Sequence, residues 1–172
     1  MDLLKLLNAT GQQDQLVKVI AGQFGLDPNQ AGSAISGIMG ALSGGVQNQV
    51  KQGNIQNIMD VAQNNQVQQY VEQPEQVTNA QSQGNDILGL LLGSKDASRQ
   101  VASNVSQQSG VSADIIKQIL PMVAAMAMGS MGKAGQQSGG SSDALSGMLG
   151  SLLDQDGDGS FVDDVFGMLG KK

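Results

Sequence analysis

Leu16, Ile20 and Phe24 stand four residues apart and so fall on one face of a helix. Gly25 follows, suited to the left-handed conformation that closes helices. Asp27 precedes Pro28 in the order of an N-cap and a first-turn proline, so a second helix is expected from Pro28, with Ile35 and Ile38 among its apolar positions. Gly32, Gly37, Gly40 and Gly44 interrupt that helix. Each interior glycine costs about 1 kcal/mol relative to alanine. Their number predicts close approach of another backbone, with a frayed helix as the alternative.

The same pattern returns 85 residues later. "LVKVIAGQFGLDPNQAGSAISGIMGALSGG" from Leu16 overlays "VASNVSQQSGVSADIIKQILPMVAAMAMGS" from Val101 without a gap. Ile20 meets Val105, Gly25 meets Gly110, Ile35 meets Leu120, Ile38 meets Val123 and Gly44 meets Gly129. Identities are few, yet apolar positions coincide at helical spacing, which reads as an internal duplication of a helix, a tight turn and a helix. In the second copy Gly110 ends one helix, Ser112 caps the next, and Ile115, Ile116, Ile119, Leu120 and Val123 supply its buried face. Pro121 lies inside that helix and is expected to kink it or break it near Lys117.

Between the copies, Ile55, Ile58, Met59 and Ala62 predict one short amphipathic helix, and Pro74 interrupts the polar stretch after it. "NDILGLLLG" predicts an apolar helix ending at Gly93, with Ser94 or Asp96 capping the next. After the Gly-, Ser- and Gln-rich "GKAGQQSGGSS", Leu145, Met148, Leu149, Leu152 and Leu153 form an amphipathic stretch, and Val162, Val165, Phe166 and Leu169 form another. The expected organisation is a first helical repeat over 1–65, a polar linker over 66–84 and a second repeat over 85–132. A flexible linker over 133–142 and a helix–acidic loop–helix over 143–172 complete it. The fold class is all-α: a small helical bundle of duplicated helix-turn-helix units with an EF-hand-like acidic loop near its end.

Composition agrees with helices. Hydrophobic residues make up 40% and aromatics only 2%, so the core is built from Leu, Ile, Val, Ala and nine methionines rather than the aromatic residues that strands favour. Charged residues are 14%, and the remaining polar surface is rich in Gln and Asn, which permits self-association. The net charge of −6 is local: without the five aspartates between 154 and 164, ten acids face nine bases. No basic run is available to neutralise phosphates, so nucleic acid is not an expected partner. "MDLLKLLNAT" lacks the basic start and long apolar region of a secretory signal, and "IIKQILPMVAAMAMGSM" is broken by Lys117, Gln118 and Pro121, which makes a membrane span unexpected. A cytoplasmic location is the expectation, with export by a non-standard route left open.

The five aspartates sit in "LLDQDGDGSFVDDVFG". Asp154, Asp156 and Asp158 occupy positions 1, 3 and 5 of a calcium loop, Gly159 the turning position 6, and Ser160 would offer its backbone carbonyl at 7. Position 12 is Val165 instead of a bidentate glutamate, while Asp163 and Asp164 stand at 10 and 11; a shortened loop would bring Asp164 to the ion. Without that glutamate, calcium affinity is expected at the weak end, on the order of 10⁻⁴ to 10⁻³ M. The alternative is a plain acidic turn, Asp and Gly being turn residues, with Asp163 and Asp164 favoured at the start of the last helix by its dipole.

No His, Cys or Trp is present, which removes Ser-His-Asp, cysteine and thiolate- or imidazole-metal chemistry. No phosphate-binding glycine motif appears. A non-enzymatic chain is expected. The stretches "GNDILGLLLGSKDASRQVASNVSQQSGVSADIIKQILPMVAAMAMGSMGK" and "LLDQDGDGSFVDDVFGMLGKK" resemble the YidB-like bacterial family known as domain of unknown function 937. With the first copy the resemblance spans nearly the whole chain; residues 66–83 depart from it. It implies a small all-helical fold, homeodomain-like in its simplest members, and no activity, substrate or partner. The sequence expectation is thus a helical scaffold or interaction module, self-associating or binding a protein partner, with a calcium-binding tail. A helix-turn-helix nucleic-acid binder and a lipid- or partner-helix binder are the alternatives.

Overall fold

The computed structural model describes residues 11–137. They form α1 (Gln12–Phe24), α2 (Pro28–Lys51), α3 (Ile55–Ala62), α4 (Asn65–Glu72), a 3-10 turn (Pro74–Asn79), α5 (Gln81–Leu92), α6 (Lys95–Ser109) and α7 (Ala113–Gln137). No strand occurs among the described residues. The protein is all-α there, as its periodicity predicts.

Local signals set the boundaries. Gly25 takes φ 62° and the Leu26 N–H donates to the Ala21 carbonyl at 3.0 Å, which uses one of the carbonyls that a helix end leaves free. The Asp27 carboxylate accepts from the Asn29 N–H at 2.8 Å, with Pro28 opening α2. The Ser94 hydroxyl accepts from the Ala97 N–H at 3.1 Å to cap α6, so Ser94 and not Asp96 is the cap. Gly110, at φ 73°, ends α6, and Ser112 accepts from Ile115 N–H at 3.4 Å. The α1–α2 and α6–α7 pairs therefore turn on left-handed glycines at matching positions, and α2 and α7 run 24 and 25 residues.

α7 is the axis of the fold. From Met122 to Met128 every side chain belongs to the hydrophobic core, none more than 3% exposed. A helix buried all round must be apolar all round, and α2, α3, α4, α5 and α6 all pack against it. Its length and mean hydropathy would suffice to cross a bilayer, yet 83% of its most apolar window is buried inside the fold. The surrounding helices account for that apolarity.

Pro121 does not break this helix, which runs unbroken from Ala113 to Gln137. An interior proline costs about 3 kcal/mol. Ile116, Ile119, Leu120 and Val123, each at most 1% exposed, sit on both sides of it. Full burial of such side chains contributes about 1.5–3 kcal/mol apiece, more than the proline removes.

Close backbone contact does occur, but away from the glycines that predict it. Gly40 and Gly44 have nothing within reach of an added Cβ, and Gly37 meets only the Val105 and Gln108 side chains. The backbone contacts are at Gly45, where a Cβ would come 2.8 Å from the Leu91 carbonyl oxygen, and at three glycines against other helices. A Cβ on Gly84 would strike the Pro121 backbone, one on Gly129 the Val67 carbonyl, and one on Gly132 the Ala62 carbonyl.

Residues 66–84, a linker by composition, carry most of α4, the 3-10 turn and the start of α5. Val67, Tyr70, Val71, Val77 and Ala80 are all buried. The apolar positions are sparse but correctly spaced to lie against α7. The expected linker over 133–142 begins inside α7, which continues to Gln137.

A candidate anion-binding concavity

The residues expected to hold a metal, Asp154, Asp156, Asp158, Ser160, Asp163 and Asp164, lie outside the described residues. Among the described residues no three carboxylates, imidazoles or thiols gather closely enough to hold an ion.

A different arrangement emerges where α5 turns into α6. Gly93, at φ 76°, reverses the chain, and Ser94 starts α6 immediately, so the first turn of α6 faces the end of α5 across the start of α7. The space between them is an open concavity of about 480 Å³. Leu88 and Leu120 contribute its apolar wall, while Asn85, Lys95, Arg99 and Lys117 contribute polar groups. Six basic residues lie between 11 and 137, and three of them line this one surface, including the chain's single arginine.

Two of those cations have local partners. Arg99 Nη1 lies 3.1 Å from Asp96 Oδ1, and Lys117 Nζ lies 3.1 Å from Asp114 Oδ1. Both pairs are i,i+3 contacts with side chains at least half exposed, so water screens them and an incoming carboxylate can exchange with either acid. Among the described residues no carboxylate pairs with Lys95. The Ser94 hydroxyl is taken by its own helix cap, and the Ser98 hydroxyl donates to the Ser94 carbonyl at 3.3 Å. The surface can hold an anion through Lys95, Arg99, Lys117 and the positive end of α6. It presents no nucleophile paired with a base. Only the four-residue spacing of Lys95 and Arg99 hints at it in the sequence; Lys117 joins them through packing.

The other end of α7 is fastened differently. Gln68, 8% exposed, donates from Nε2 to the Ala62 carbonyl at 3.1 Å and accepts from Gln136 Nε2 at 3.1 Å. Lys133 Nζ meets Glu72 Oε1 at 2.8 Å. These contacts hold the last turns of α7 against α3 and α4.

Residues 6–134 match the family described as "Bacterial protein of unknown function (DUF937)". The chain belongs to that family. No curated protein and no solved structure matches it. The matched stretch of DUF937 contains the whole concavity and nearly all of α7, and it ends before the aspartate loop, which the sequence resemblance includes.

Proposed function

We propose that this DUF937 protein is a non-catalytic helical interaction module, capable of self-association, whose tail loop binds calcium weakly. The observation that carries the interaction half is the outward face of α2. Ser33, Gly40, Gly44 and Asn48 lie on that face, all exposed, and no described element packs on Gly40 or Gly44. A long helix side with no charge and little relief allows another helix to approach closely, and the weakly charged surface offers little repulsion against it.

Internal duplication belongs to the same reading. The 85-residue offset that aligns the apolar positions also aligns Gly25 with Gly110 and the start of α2 with that of α7. On α7 the position equivalent to Gly44 is Gly129, which lies against α4. The first copy thus leaves open a face that the second copy uses for helix packing.

Calcium binding rests on the alternation of Asp154, Asp156 and Asp158 before Gly159, with the Ser160 carbonyl and Asp163 or Asp164 completing the oxygens. Light scattering across a concentration series tests the first half: mass should rise for wild type, and Gly40→Glu should hold the protein monomeric. A wild type of constant monomeric mass removes self-association. Calorimetric titration with calcium tests the second half, with heat expected for wild type and lost in Asp156→Ala.

A further inference from the structure

We infer that the aspartate loop of the chain's own tail docks in the concavity lined by Lys95, Arg99 and Lys117, and that calcium competes with those cations for it. Charge complementarity carries the assignment. The loop holds five aspartates within eleven residues, a third of the chain's fifteen acids. The concavity gathers half of the basic residues between 11 and 137: Lys95 has no carboxylate partner there, and Arg99 and Lys117 hold only the exposed Asp96 and Asp114, which the loop's acids would displace. Lys18 and Lys51 stand exposed on α1 and α2 without a second cation beside them in the sequence, and Lys133 is held by Glu72.

Chain length permits the contact. Lys117 lies twenty residues before the end of α7, about 30 Å along a helix at 1.5 Å per residue. Sixteen residues, 138–153, separate that end from Asp154. Fully extended they reach at most about 53 Å, more than that span. A tail that turns back from the C-terminal end of α7 therefore brings its acids to the concavity. Tethering also gives the loop an effective concentration on the order of millimolar, which lets individually weak ion pairs hold it.

Carboxylates that contact ammonium and guanidinium groups cannot at the same time converge on a cation. Calcium bound at Asp154, Asp156 and Asp158 would draw the loop from the concavity, leaving Arg99 and Lys117 to Asp96 and Asp114 and Lys95 without a carboxylate. The docking does not require the loop to bind calcium; the competition rests on the proposed calcium site.

Zero-length carbodiimide cross-linking of the full chain separates the two, because it joins an aspartate only to a lysine in direct contact. In calcium-free, low-salt buffer, peptides containing 154–164 should link to Lys95 and Lys117 at least about threefold more than to Lys18 or Lys51, given the tethered geometry. Arg99→Glu cannot remove a cross-linking amine, yet should lower the yield at both lysines by about threefold through charge alone. An equal mixture of light and isotopically heavy protein should give only unmixed cross-links. Mixed ones would assign the concavity to a second copy and overturn the docking in cis, as would an even spread over all lysines or no tail cross-links at all. Millimolar calcium should abolish the Lys95 and Lys117 links. If they persist unchanged while Arg99→Glu still weakens them, docking stands and calcium competition falls.

Discussion

Glycine inside a helix has opposite consequences in this protein depending on what faces it. At Gly40 nothing lies within 4 Å of an added Cβ, so Gly40→Ala should remove only the backbone-entropy cost and stabilise by about 0.5–1 kcal/mol. At Gly129 the same methyl would meet the Val67 carbonyl and the Val71 side chain, forcing α4 off α7. Overpacking of this kind costs about 1–3 kcal/mol, and here the obstacle is backbone, which puts Gly129→Ala at the upper end. Urea unfolding of the two variants should therefore move the midpoint in opposite directions.

Helix ends are legible in the sequence because their causes are local. Gly25, Asp27–Pro28, Ser94, Gly110 and Ser112 each act within four residues, and the structure uses all of them. Asp27→Ala should cost about 1 kcal/mol by removing the acceptor of the Asn29 N–H, seen as a lower melting temperature. What the pattern conceals depends on distant partners. Val67, Tyr70 and Val71 read as isolated apolar residues in a Gln-rich run until Gly129 and Gly132 of α7 let that run approach. Pro121 reads as a break because the burial of Ile116, Ile119, Leu120 and Val123 beside it depends on other helices. The basic concavity joins residues from two helices, Lys95 and Arg99 from one and Lys117 from the other, so charge counting along the chain passes over it.

At the scale of the whole molecule, the two stretches whose apolar positions overlay do not form two cores. α2, α3 and α4 from the first half and α5 and α6 from the second all pack on the one helix α7, so the first half buries its apolar face on a helix of the second. Unfolding of the described fold should accordingly be a single cooperative transition. The chain contains its own test. Tyr70 is the sole tyrosine, no tryptophan is present, and its ring lies 7% exposed in α4 with its hydroxyl donating to Gln83 Oε1 at 3.3 Å. Tyrosine fluorescence therefore reports on the first half, whereas Ile119, fully buried, belongs to α7 in the second. Ile119→Ala should destabilise by about 2–5 kcal/mol through the cavity it leaves. With one core, the fluorescence midpoint in urea falls together with the far-ultraviolet circular dichroism midpoint. With two cores, the dichroism curve would split and the Tyr70 signal would stay where wild type leaves it, because nothing around α4 would depend on α7.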